Sequence, residues 1–286
     1  MLDELSGIVP AVDGHYPERW ICSTTKASDG TGISMTVDGR LLTDFVKEPL
    51  PILVKLLDSY SRLMIQVHPD DERAKKYFHS DKGKAEAWYI IGTRTISEEP
   101  YVYLGFKEGI TKQHWRDLFN KQDVKGMERC LHKIKVRPGD AFFIPGGVPH
   151  AMGSGVYFAE VQQPTDITLR VERVSPAKEK LSDESLHGGA GWESLFDCFD
   201  YDGRSLEETL KKYKVLPKGN IIIQNDLFTM KKMEVKKNRI VDVEDWTIVI
   251  VLEGVDKGKE YFLTEKQEFL PGQTLLLCSQ GKKEVC

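Results

Sequence analysis

The chain has 286 residues, long for one small domain and short for three, so one large or two modest domains are expected. Hydrophobic residues make up 40% and charged residues 29%, which excludes a disordered or collagen-like chain. Lys and Arg total 40 against 44 Asp and Glu, and the net charge of −4 argues against a general nucleic-acid or anionic-membrane binder.

The opening residues show no basic region followed by an apolar stretch, so no signal peptide is expected. The most apolar runs, such as Ile248 to Leu252, are too short to span a bilayer. Cys22, Cys130, Cys198, Cys278 and Cys286 are scattered, odd in number and form no C-x-x-C. That pattern predicts free thiols in a reducing compartment. With no Asn-x-Ser/Thr sequon, a cytoplasmic protein is expected.

In chain order, apolar runs of strand length occur at Ile52–Leu57, Leu63–Val67, Ala87–Ile91, Tyr101–Leu104, Ala141–Ile144 and Val156–Val161. Turn residues punctuate them at Pro69-Asp70-Asp71, Gly92, Pro138-Gly139-Asp140 and Pro145-Gly146-Gly147, and Gly153-Ser154-Gly155 reads as a hairpin turn. Thr111–Phe119 predicts a helix, with Thr111 as N-cap and Trp115, Leu118 and Phe119 at helical spacing. Ser205–Tyr213 predicts a second, opened by a capping box of Ser205 and Glu208, and residues 187–191 between them read as a glycine-rich loop. Strands resume at Ile221–Ile223, Phe228–Met233, Trp246–Leu252, Glu260–Phe262 and Thr274–Leu277. Pro271-Gly272-Gln273 repeats the earlier Pro138-Gly139-Asp140 ahead of an apolar strand. The expected architecture is mainly β, two barrels joined by a helical segment.

Three segments carry chemistry. In Gln66-Val67-His68-Pro69 the strand period of two aims Gln66 and His68 into one space, and Pro69 ends the strand there. In Lys84-Ala85-Glu86-Ala87-Trp88 the same alternation puts Lys84 and Glu86 on one face. The third runs from Pro138 through an apolar strand and a glycine turn to His150. Taken alone, each has a plainer reading: a hydrogen-bonded structural histidine, half of an ion pair for Glu86, a solvated surface charge for Lys84. Together, a Gln oxygen, two His nitrogens and a Glu carboxylate form a borderline-hard set that suits zinc and also accepts manganese, iron or cobalt.

The Pro-Gly-Asp…Pro-Gly-Gly…His150 segment resembles the second cupin motif. The string from Leu50 to Asp58 followed by Gln66–Asp71 closely resembles the type I mannose-6-phosphate isomerases, particularly their short bacterial form, as do Lys84–Tyr89, Pro149–Gly153 and Glu160–Gln163 followed by Asp166, Thr168 and Arg170. The resemblance is strong over roughly residues 50–170, looser beyond and poor over the first 40. It implies cupin (double-stranded β-helix) barrels: a metal-binding unit at 1–178 with a helical insert near 111–128, a helical linker at 179–218 and a metal-free cupin-like unit at 219–286. It implies one zinc held by Gln66, His68, Glu86 and His150, with Arg170, Lys84 and Glu160 as catalytic residues. The implied reaction interconverts mannose 6-phosphate and fructose 6-phosphate through an enediol. That needs a Lewis acid, an acid–base group (Lys84 or Glu160, left open) and a cation for the oxyanion, which Arg170 supplies.

The chain also departs from that family. Met64 stands where a Ser commonly precedes the metal-binding Gln by two residues, and a W-G-G-like N-terminal stretch is absent; Tyr16–Trp20 stands in for the G-E-x-W segment. Alternatives are therefore a cupin isomerase of another sugar or sugar phosphate, or a sugar-binding cupin without turnover. The expected partner is a sugar phosphate, with no nucleic acid and no membrane; monomer and homodimer stay open. His79, His114, His132, His187 and the lysine runs at 231–237 and 282–283 are expected at the surface.

Overall fold

The structure, a computed structural model, describes residues 18–27, 29–242 and 245–281. The expectations for residues 16–17, Cys286 and the lysines at 282–283 lie outside the described residues.

The first eleven strands are β1 (Glu18–Ile21), β2 (Leu53–Ser59), β3 (Gln66–Val67), β4 (Glu86–Thr93), β5 (Tyr101–Phe106), β6 (Leu131–Lys135), β7 (Ala141–Ile144), β8 (His150–Met152), β9 (Val156–Gln162), β10 (Leu169–Arg170) and β11 (Lys214–Val215). They form a six-stranded sheet ordered β1-β2-β9-β4-β7-β11 and a five-stranded sheet ordered β10-β3-β8-β5-β6. The seven remaining strands are β12 (Ile221–Gln224), β13 (Phe228–Glu234), β14 (Arg239–Val241), β15 (Thr247–Glu253), β16 (Glu260–Leu263), β17 (Gln267–Phe269) and β18 (Thr274–Gln280). They form a sheet ordered β12-β13-β18-β15-β16 and the pair β14-β17. Among the described residues every pairing of strands is antiparallel.

The six-stranded sheet is covered on both faces, which explains why its strands read as continuous apolar runs. Leu57, Trp88, Ile90, Phe142 and Phe158 face the five-stranded sheet and pack with Val102, Leu104 and Met152. The alternate residues Val54, Leu56, Ala87, Tyr89, Ala159 and Val161 pack instead on Phe228, Met230, Ile248 and Ile250 of the C-terminal strands. The outer face of the five-stranded sheet is covered by helices. Val67, Tyr101, Tyr103 and Ala151 meet Trp115 and Phe119 of α2 (Lys112–Lys121), and Leu195 and Phe196 of α5 (Trp192–Asp197). Between and around these lie α1 (Asp71–Phe78), α3 (Val124–Arg129), α4 (Asp183–His187) and α6 (Leu206–Tyr213). The capping box of Ser205 and Glu208 opens α6.

Helix α1 is absent from the sequence reading because its only buried residue is Ala74, so no apolar period announces it. Three expectations need correction. Gly153–Gly155 is no hairpin turn: β8 and β9 belong to different sheets, and the turn is a corner between them. The strand expected at Leu63–Val67 shortens to Gln66–Val67, because the Ile65 amide donates to the Glu172 carboxylate (2.7 Å) instead of to a neighbouring strand. His132 is buried, its Nε2 facing the Arg204 carbonyl at 2.9 Å.

Candidate metal centre and its surroundings

The period of two that splits the sheet's apolar residues also sorts its charged ones. Lys55, Glu86, Glu160 and Gln162 lie in phase with Leu57, Trp88, Ile90 and Phe158, so all project between the two sheets. Lys55 stands opposite Glu160, Trp88 opposite Glu160, and Glu86 opposite Gln162. From the facing sheet, Gln66 is the register partner of both His150 and Arg170.

At one end of this space His68, Glu86 and His150 converge, all buried, with one ligand atom from each within 4.8 Å of the others. His68 Nδ1 lies 2.9 Å from the Ile167 carbonyl, and His150 Nδ1 lies 2.9 Å from the Val148 carbonyl. A carbonyl only accepts, so each Nδ1 carries the proton and each Nε2 keeps a bare lone pair. His68 Nε2 then faces Glu86 Oε1 at 3.0 Å, and His150 Nε2 stands 3.7 Å from Glu86 Oε2 without any hydrogen-bond partner among the described residues. Lone pairs aimed at one another in a buried space repel unless a cation stands between them; the Lys84 ammonium lies beside those of His68 Nε2 and Glu86 Oε1, whereas no described group meets that of His150 Nε2. Burial pushes the His68 pKa down to about 3 and that of His150 in the same direction, so both rings are neutral. Burial alone would raise the Glu86 carboxyl, but positive charge beside it, that of the Lys84 ammonium 3.3 Å away included, holds the group well below the usual carboxylate range. Two neutral imidazoles and an ionised carboxylate are the protonation states a divalent cation takes, and the donor chemistry fits a metal ion.

Lys84 Nζ sits 3.3 Å from Glu86 Oε1, 3.5 Å from His68 Nε2 and 3.2 Å from Thr168 Oγ1. Glu160 accepts from Trp88 Nε1 at 2.9 Å, and the same indole lies 3.1 Å from Glu86 Oε2. Burial and the charge of Glu86 push the Glu160 carboxyl up to about 8. Arg170 is half-buried, reaching the carbonyls of Thr168 (3.3 Å) and Ser185 (3.4 Å). Met64, also half-buried, is two residues before Gln66.

Sequence reasoning missed Lys55. Its ammonium is buried 3.3 Å from Glu18 Oε2, 3.9 Å from Glu160 Oε1 and 4.8 Å from the Trp20 ring centre. Burial alone would depress its pKa, but Glu160 and Glu18 reverse that and hold it charged. The signal was a charged residue at an inward position of an otherwise apolar strand.

Backbone contacts lock the ligand-bearing segments together. Lys84 N donates to Pro69 O (3.0 Å), and Gly147 N donates to His68 O (2.7 Å). Asp71 Oδ1 accepts from Gly83 N (2.7 Å) and from Gln163 Nε2 (2.8 Å). Pro69 ends β3 and Asp70 caps α1 by accepting from Arg73 N at 2.8 Å, which fixes the direction in which the chain leaves His68.

Residues 25–99 match the family described as phosphomannose isomerase type I, catalytic domain. The chain is 38% identical over 137 residues to the probable mannose-6-phosphate isomerase GmuF of Bacillus subtilis, an alignment covering 48% of this chain and 41% of the relative. It is 36% identical over 121 residues to the mannose-6-phosphate isomerase ManA of the same organism, covering 42% of this chain and 36% of the relative. These alignments therefore span less than half of the relatives' own length. Among solved structures, the mannose 6-phosphate isomerase from Bacillus subtilis superposes with a TM-score of 0.69 at 22% identity, over 97% of this chain and 93% of that one. A phosphomannose isomerase from Salmonella typhimurium gives a TM-score of 0.63 at 16% identity, over 98% and 93%. The chain thus resembles the type I phosphomannose isomerases in sequence over residues 25–99 and shares their mainly antiparallel fold over nearly its whole length. Among the described residues no helix is long and apolar enough to cross a membrane.

Proposed function

We propose that the chain is a cytoplasmic metal-dependent aldose–ketose isomerase that interconverts mannose 6-phosphate and fructose 6-phosphate. The observation that carries this reading is the convergence of His68, Glu86 and His150 with a bare, buried His150 Nε2. Gln66, the register partner of His150, completes a set that would hold zinc. When bound, the ion supplies Lewis acidity toward the sugar's carbonyl and hydroxyl oxygens.

The chain's own groups do the rest. Aldose–ketose exchange takes a proton from the carbon beside the carbonyl and returns one to the neighbouring carbon, by way of an enediol. Lys84, two residues before β4, and Glu160 of β9 both reach the space between the sheets, and one of them carries that proton. Trp88 fixes the Glu160 carboxylate and Glu86 holds the Lys84 ammonium, so neither reorients freely. Arg170, across from Gln66, offers fixed positive charge to the developing oxyanion or to the phosphate.

A coupled assay with mannose 6-phosphate tests this on metal-loaded and chelated protein. Activity that vanishes on chelation and returns with zinc is expected. Inactive protein carrying stoichiometric metal would overturn it, and Met64, in place of the customary serine, would then favour another sugar phosphate.

A further inference from the structure

The lysine-rich run at 231–237 is not uniformly a solvated face. Along β13, Phe228 and Met230 pack toward the six-stranded sheet, while Met233 packs into the separate C-terminal core with Val235. Thr229 and Lys231 share the second face with Met233. Thr229 stands opposite Ser279 of β18, and the register of β15 against β18, with Ile248 opposite Cys278, brings Thr247 level with them. Three hydroxyl-bearing residues thus form a row across neighbouring strands at one end of this inner face. Arg239 of β14 is in phase with Val241 and opposite Phe269, both buried in the same core, so it stands on that side of the strand with its charged end exposed, as is Lys231.

These residues line a cavity of about 350 Å³. Thr229 is only 5% exposed, and its Oγ1 is buried without a hydrogen-bond partner among the described residues. Among the described residues neither Lys231 nor Arg239 is in an ion pair, and the one carboxylate in the lining, Asp242, is engaged by Lys266 at 3.2 Å. Two exposed cations at the rim, unpaired among the described residues, and a row of hydroxyls above an apolar floor of Met233 and Leu277 suit an anion with a small body. We propose that this cavity binds a small phosphate- or carboxylate-bearing molecule, at a site separate from the metal centre.

The full chain, methyl-labelled and in phosphate-free buffer, is titrated with inorganic phosphate and, in parallel, acetate. Saturable shifts of the Met233 and Leu277 methyl signals are expected, and the anion saturating at lower concentration identifies the class. The double variant Lys231→Gln/Arg239→Gln should weaken the response at least tenfold while leaving metal-dependent activity unchanged. Should that variant misfold by near-ultraviolet circular dichroism, Thr229→Val serves instead, with weakening of about threefold or more expected. Methyl signals that neither anion moves, or equal affinity in wild type and folded variant, would overturn the proposal.

Discussion

Gly83 and Gly146 press on one short stretch of backbone, Pro69–Asp70. A Cβ at Gly83 would lie 2.5 Å from Asp70 C and from Pro69 O, and one at Gly146 would lie 2.5 Å from Asp70 N. The chain leaving His68 therefore passes between the loop that leads to Lys84 and Glu86 and the turn that leads to His150. Glycine is required at both positions for close approach, not for an unusual φ.

Gly146→Ala must push Asp70 away and with it His68. Such overpacking costs about 1–3 kcal/mol. The expected outcome is a lowered unfolding midpoint together with metal affinity reduced more than tenfold, read by calorimetry and by competition with a chelator. A variant with wild-type metal affinity would show that the close approach does not position His68.

His150→Ala removes the bare Nε2. Dialysed protein should then carry no stoichiometric metal by elemental analysis, and added zinc should no longer raise the unfolding midpoint as it does for a protein that binds it only when folded. Full occupancy in the variant would exclude His150 as a ligand.

Arg170→Ala leaves the three buried ligand atoms in place. Metal content should be unchanged while turnover on mannose 6-phosphate falls by roughly 10²–10³, the scale for losing one preorganised donor. Unaltered kcat and KM would remove Arg170 from the mechanism.

Glu160 supplies a pH dependence that is read most simply on chelated protein. Its folded-state pKa of about 8 exceeds the ordinary carboxylate value, so between the two the folded protein binds the extra proton. Stability contributed by this group is present at low pH and is lost as pH rises through that window, by at most about 1.4 kcal/mol per pH unit. Glu160→Gln should flatten the fall in unfolding midpoint between about pH 6 and 8. Parallel curves would show that Lys55, 3.9 Å away, already keeps Glu160 ionised.

Met64→Ser tests the departure two residues before Gln66. A changed preference among hexose phosphates, measured as the ratio of kcat/KM values, is expected if residue 64 faces substrate; identical ratios would place Met64 in packing alone.

Features that depend on residues close together in the chain are legible from the amino-acid order alone. Strand alternation pairs Gln66 with His68 and Lys84 with Glu86, because a period of two is a property of the extended backbone. Thr111, Asp70 and Ser205 cap their helices with side chains that reach only three residues ahead, and the Thr111 and Ser205 caps were legible for that reason. Which faces meet is set by packing between elements distant in the chain. Lys55 finds Glu18 and Glu160, Glu172 takes the Ile65 amide that would have lengthened β3, and Gly83 and Gly146 close on Pro69–Asp70. Those contacts join strands and turns far apart in the chain, and no local propensity encodes them. They arise when burying both faces of the six-stranded sheet forces its few inward charges to find one another, because an unpaired charge in that space costs several kcal/mol.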